Sequence, residues 1–291
     1  MTSSNSTVNA WIFLNEDEPS ATNYDSPNSC FQALIQNNVY QAVDMLFICF
    51  AVTVATGAST IPSGDGSSYT LQMGASSHPG GLTNQDYMNY LLRDARANNP
   101  NIKFMMTLLW GDPDTLAKIF SNSNYSDEQN AENFAANLLA YLEYYDLDGF
   151  DLDWESPLSD GTSENQMTLL LSAIGAQFQK QTGKKYYLTL SPATSTNLNG
   201  AAVNANVDFL NLQLYSGFTY PGEFQSLGID TGLFAYGAKF ESNYQTAQAA
   251  YEDNRQNYGY GIFTNWRLNS ENFEFEQEQQ VELHKLVFPN D

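Results

Sequence analysis

Positive charge is scarce in this 291-residue sequence: 11 Lys and Arg stand against 33 Asp and Glu, a formal net charge of −22. That balance excludes nucleic acid and anionic membranes as partners, because a phosphate surface needs a basic footprint and repels an acidic one. Two readings of the excess acid stay open. It suits a neutral or cationic substrate, and it equally suits a surface that keeps a secreted or salt-exposed protein soluble. Cysteine is nearly absent. Cys30 and Cys49 allow one disulfide or two buried thiols, and no Cys/His spacing of the metal-binding kind occurs. The two histidines, His78 and His284, lie far apart, with His284 in a predicted C-terminal helix, which leaves a His-based triad little support. No apolar run is long enough to span a bilayer. The first ten residues lack the charged start and apolar core of a signal peptide. Asn-x-Ser/Thr sequons stand at Asn5 and Asn124, a short pattern that arises often by chance.

Apolar and aromatic residues are plentiful. They make up 42% of the chain, with 18 Tyr, 18 Phe and 4 Trp, enough for a sizeable core and for a cleft that could stack on sugar rings. Short apolar runs alternate with amphipathic stretches throughout. Strands are predicted at 8–14, 43–52, 101–109, 147–155, 186–191, 208–215, 233–237 and 260–266. Helices are predicted at about 30–39, 86–97, 126–145, 163–181, 244–256 and 270–287, with capping boxes at Ser126/Gln129 and Ser163/Gln166. A Gly/Ser-rich loop fills 56–84. Eight strands interleaved with helices, without a linker or repeat, predict an α/β fold: a single (β/α)8 TIM barrel with its core over about 8–288. A doubly wound sheet would carry a glycine-rich fingerprint after the first strand, where Asn15-Glu16-Asp17-Glu18 stands instead.

The informative segment is Leu147-Asp148-Gly149-Phe150-Asp151-Leu152-Asp153-Trp154-Glu155. Side chains alternate along a strand, so Asp151, Asp153 and Glu155 share one face, each roughly 7 Å from the next. Phe150, Leu152 and Trp154 share the other. Three carboxyls this close drive at least one towards its neutral form, and a carboxylic acid held protonated near neutral pH is what a glycosidase uses to protonate a leaving oxygen. Glu155 lies furthest along the strand, nearest the rim where barrel active sites sit. A calcium loop is the alternative, but such loops are polar and turn-rich, whereas this run is interleaved with Phe, Leu and Trp.

The run Asp148-Gly149-Phe150-Asp151-Leu152-Asp153-Trp154-Glu155 resembles the Asp-Gly-x-Asp-x-Asp-x-Glu signature of family 18 glycoside hydrolases at every fixed position. Asn211-Leu212-Gln213-Leu214-Tyr215 resembles that family's sixth-strand motif, and Trp266 is similar to the tryptophan that floors its cleft. The third strand departs from the family's Ser-x-Gly-Gly, reading Thr107-Leu108-Leu109-Trp110-Gly111. The stretch between Tyr215 and Trp266 is too short for the large α+β insertion domain of many relatives, so a shallower groove is expected.

The resemblance implies substrate-assisted hydrolysis with retention, in which the substrate's own 2-acetamido oxygen attacks C1. Glu155 would be the proton donor, Asp153 would orient the acetamide, Asp151 would hold Asp153, and Tyr215 would donate to the acetamide oxygen. Gln213, Trp266 and Trp110 would contact substrate. No metal or organic cofactor is implied. The substrate would be an N-acetylglucosamine oligo- or polysaccharide and the setting extracellular. Chitinase activity is the leading reading, with an endo-β-N-acetylglucosaminidase acting on the chitobiose core of N-glycans, or a non-hydrolytic chitooligosaccharide-binding protein, as alternatives.

Overall fold

The computed structural model describes residues 6–14, 23–59, 61, 68–76, 78–111 and 115–290. The sequon at Asn5 and the run Asn15-Glu16-Asp17-Glu18 lie outside the described residues. The strands are β1 (Thr7–Phe13), β2 (Met45–Ala55), β3 (Tyr69–Met73), β4 (Lys103–Leu108), β5 (Gly149–Leu152), β6 (Tyr187–Leu190), β7 (Phe209–Leu212), β8 (Phe234–Lys239) and β9 (Ile262–Trp266). The helices are α1 (Cys30–Gln36), α2 (Asn84–Asn98), α3 (Asp127–Tyr144), α4 (Ser156–Gly161), α5 (Glu164–Gln179), α6 (Gly200–Asn206), α7 (Pro221–Ser226), α8 (Ala247–Asp253) and α9 (Phe273–Val287). All strands but β3 are the parallel strands of a (β/α)8 barrel, the expected fold class. Among the described residues no helix is long and apolar enough to cross a membrane.

The chain divides into two compact units. In the first, β1 pairs in parallel with β2, Ala10 opposite Leu46, and with β9, Ala10 opposite Asn265; β8 adds to β9 with Gly237 opposite Thr264. Buried glutamines tie α9 to this unit through long-range bonds. Gln277 Nε2 donates to the Cys30 carbonyl at 3.0 Å and Gln280 Nε2 to the Ala42 carbonyl at 2.8 Å. Cys30 and Cys49 are both buried and are not joined in a disulfide, the second of the two alternatives.

The second unit holds β3 to β7 and the end of β2. β3 pairs antiparallel with that end, Ala51 opposite Met73 and Ala55 opposite Tyr69. This strand falls inside the predicted 56–84 loop. Five residues flanked by Gly and Ser give too short a pattern to separate a strand from a loop, and pairing with β2 decides the outcome. Asn137 of α3 donates to the Tyr69 carbonyl at 3.0 Å, covering the added strand. Both predicted capping boxes are present: the Ser126 and Ser163 hydroxyls accept from the Gln129 and Gln166 N–H groups, and the glutamine side chains accept in return. Each cap satisfies donors that the first helical turn leaves open, worth about 1 kcal/mol.

The parallel register runs through Thr107, Asp151 and Thr189 on β4, β5 and β6, and places Thr189 opposite Phe209 on β7. Phe150 points the other way, its ring 6.3 Å from that of Phe134 on α3. Alternation therefore sends Phe150 and Leu152 to the helix layer and Asp151 to the opposite face. Gly149 opens β5 because nothing larger fits. A Cβ there would lie 2.3 Å from the Tyr187 carbonyl oxygen and 2.7 Å from the Met105 sulfur. The glycine of the acidic run is thus explained by close strand packing.

Candidate active site

Regular strand geometry in β5 stops at Leu152, but its pairing with β6 does not. Trp154 N–H donates to the Ser191 carbonyl at 3.1 Å and Ala193 N–H to the Trp154 carbonyl at 3.0 Å. The alternation therefore carries on to Glu155, which half-emerges from the protein where α4 begins. Trp154 is fully buried, its indole N–H donating to the Thr196 carbonyl at 2.9 Å. Asp151 and Asp153 are buried on the opposite face.

Asp151 sits in a cradle of hydroxyls. Thr189 Oγ1 donates to its Oδ1 at 2.5 Å, and Ser191 Oγ lies 2.9 Å from both carboxyl oxygens. Asn211 Nδ2 donates to Ser191 Oγ at 3.1 Å, fixing that hydroxyl from β7. Burial pushes the Asp151 carboxyl up to about 6, and the Thr189 and Ser191 hydrogen bonds pull the other way. Asp153 is raised well above the usual carboxylate range, first by burial, then by the charges of Glu155 and Asp151. A hydrogen bond between the Asp153 and Glu155 carboxyls adds to that shift, and such a bond requires one of the two to carry a proton.

Gln213 closes the group. Its Nε2 donates to Asp153 Oδ1 at 3.0 Å, Glu155 Oε1 at 2.9 Å and the Ser191 carbonyl at 3.1 Å. Asp151, Asp153, Glu155 and Gln213 are thus brought into one connected network. The alternation predicted through Tyr215 ends early, because β7 stops at Leu212 and residues Leu214–Ser216 form a 3-10 turn. Tyr215 lies in that turn, half-buried, just beyond the network. Trp110 follows β4, the neighbour of β5, with 40% of its surface exposed. Trp266 ends β9 in the first unit, its ring edge-on to Trp11 at 5.6 Å and Phe13 at 5.1 Å. Thr189 and Ser191 escaped the sequence reading. Their signal was present, as two hydroxyls at alternate positions of a buried strand adjacent to the acidic one.

The arrangement stores a proton. Because the folded-state value of Asp151 lies above its ordinary 3.8, the folded protein binds more protons between about 4 and 6. This group's stabilising contribution is therefore complete below about 4 and is lost as pH rises through about 6, on the order of 3 kcal/mol. Asp151→Asn, which cannot ionise, is expected to melt higher than the parent at pH 8, with the gap shrinking towards pH 4. Thermal melts of both proteins at pH 4, 6 and 8 check this, and a gap independent of pH would refute it.

The family model for glycosyl hydrolases family 18 matches residues 20–282. Chitinase A1 of Niallia circulans is 32% identical over 140 residues, covering 43% of this chain and 19% of that protein. Endochitinase 1 of Metarhizium anisopliae is 27% identical over 173 residues, 55% of this chain and 38% of that one. The chain thus matches well under half the length of these relatives. Among solved structures, the class V chitinase of Nicotiana tobaccum superposes with a TM-score of 0.64 at 13% identity, covering 96% of this chain and 99% of that one. Human YKL-39, described as a pseudo-chitinase with retained chitooligosaccharide binding, gives 0.64 at 10% identity over 96% and 99%. At these identities the structural likeness speaks for the fold.

Proposed function

This chain belongs to glycosyl hydrolases family 18, and on that premise we propose that it is a chitinase, hydrolysing β-1,4-linked N-acetylglucosamine polymers with retention. Glu155, at the exposed end of the network, protonates the leaving oxygen and then takes a proton from the attacking water. Asp153 accepts from the acetamide N–H and turns its carbonyl oxygen onto C1, and its charge stabilises the resulting oxazolinium. Asp151 shares the proton that Asp153 gives up, and Tyr215 donates to the acetamide oxygen. Trp110, exposed after β4, offers an apolar plane to a sugar ring. The reaction so written calls on no metal or organic cofactor, and a polymeric substrate of this kind places its action outside the cell.

The observation that carries the reading is the linked set Asp151, Asp153 and Glu155, with the most exposed carboxyl at the strand end and the buried ones raised. A single acid with a proton reservoir behind it can act as acid in one step and base in the next. Non-hydrolytic relatives exist on this fold, human YKL-39 among them. The presence of Glu155 together with both aspartates favours hydrolysis over binding alone.

Product analysis by mass spectrometry, with chitooligosaccharides and a high-mannose N-glycoprotein offered in parallel, tests the proposal. Release of N-acetylglucosamine oligomers is the expected result. Cleavage of the glycoprotein alone would replace it with an endo-β-N-acetylglucosaminidase, and binding without cleavage would replace it with a lectin-like role.

A further inference from the structure

Gln213 was expected to touch substrate, yet its donor group is already spent inside the protein. The residue is only 8% exposed. Its terminal nitrogen is surrounded by three oxygens, at 2.9, 3.0 and 3.1 Å, two from carboxyls and one from a backbone carbonyl. All three are acceptors in at least one protonation state of the pair, so the NH2 end of the amide must face them. An NH2 group has two hydrogens, which leaves no donor over for a sugar. The Ser191 carbonyl is itself fixed, because it accepts from Trp154 N–H in the β5–β6 pairing. Gln213 therefore grips a rigid point of the sheet with the same nitrogen that grips both carboxyls. Its backbone leaves β7 at this residue and its carbonyl accepts from Ser216 N–H at 2.9 Å, which holds the side chain's root.

We propose, on the basis of the hydrolase reading above, that Gln213 is a positioning residue that holds the Asp153 and Glu155 carboxyls in their paired orientation and sets the pH range over which the pair keeps one proton. Within the second unit, the titratable groups on this amide are Asp153 and Glu155, which follow β5, and Asp151 of β5 acts on Asp153 from behind. Thr189 of β6, Ser191 just past its end and Thr107 of β4 set their hydroxyls around Asp151, and the Gln213 segment itself carries the Tyr215 phenol two residues on. A donor shared by two carboxylates stabilises the more negative form at each of their two titration steps. Removing it raises both macroscopic values and frees each carboxyl to rotate.

Gln213→Met keeps length and volume without the donor. The expected result on chitotetraose is a kcat about tenfold lower, KM within about threefold of the parent, and both limbs of the kcat/KM profile about one unit higher in pH. A merely structural residue would lower kcat without moving the limbs. Gln213→Asn, which retains the amide on a shorter stem, should recover part of the pH range if Met alone disturbs the fold, and melting curves of both variants check that fold. Limbs that stay in place while KM rises tenfold or more would overturn the proposal and return Gln213 to substrate binding. Carbon-13 carboxyl titration by NMR of parent and Gln213→Met separates this proposal from the hydrolase reading. If the parent cuts neither substrate, the hydrolase reading falls, while carboxyl midpoints that rise in the variant still uphold the clamp and unmoved midpoints refute it.

Discussion

Replacing Glu155 with Gln is expected to lower kcat on chitooligosaccharides by about 10²- to 10⁴-fold, the range typical of a lost general acid, while leaving binding within a few-fold of the parent. The substitution conserves shape, so the loss would report the missing proton rather than a cavity. In the parent, Glu155 Oε1 accepts from Gln213 Nε2 at 2.9 Å. A glutamine at 155 can keep that bond by turning its own oxygen inward, which leaves an NH2 group facing the leaving oxygen. That group can donate a hydrogen bond but cannot transfer a proton. Single-turnover kinetics beside calorimetric titration with chitotetraose would separate chemistry from binding. Turnover equal to the parent's would remove Glu155 from the acid role, and lost binding with lost activity would mark it as a structural or substrate-holding group.

The acidic run shows why so much of this site could be read in advance. Its alternation alone puts Asp151, Asp153 and Glu155 on one face, and the chain keeps that arrangement because its pairing beyond β5 continues to Ala193. The capping boxes at Ser126 and Ser163 were legible for the same reason: they are local and depend on residues three apart. What escaped depends on contacts between segments distant in sequence. β3 exists because β2 offers it an edge, and the Thr189–Ser191 cradle exists because the β5–β6 register sets Thr189 opposite Asp151. No pattern within either strand encodes that register. The end of β7 is a third case, where alternation held through Gln213 and failed at Tyr215 because the backbone turns between them. Gln213 was expected to face substrate, and its amide nitrogen instead bonds Asp153, Glu155 and the Ser191 carbonyl, since sequence places a side chain on a face without showing what already occupies its donors.

Asp153→Asn should be nearly as damaging, with kcat falling by about 10²- to 10³-fold. Asp153 is buried, and burial, then the charges of Glu155 and Asp151, favour its protonated form. That state makes it a reserve. In the proposed mechanism a substrate acetamide displaces Glu155 as its hydrogen-bond partner, and Asp153 passes its proton to Asp151 and becomes the counter-ion of the oxazolinium. Asparagine imitates only the first, neutral state. Its oxygen would stay with Gln213 Nε2, in place of the 3.0 Å bond seen now, and its amide would donate permanently to Glu155. It can neither accept from the acetamide N–H at the same place nor acquire charge as positive charge develops, and that missing electrostatic stabilisation is worth about 3–4 kcal/mol. Two readouts test this: the rate on acetamido substrates, and the anomer first released, followed by proton NMR. The parent should release the β anomer, with the variant slow but still retaining. Parent-like rates in Asp153→Asn would exclude substrate assistance, and first release of the α anomer by the parent would point instead to a water activated on the opposite face, with the carboxyls in different roles.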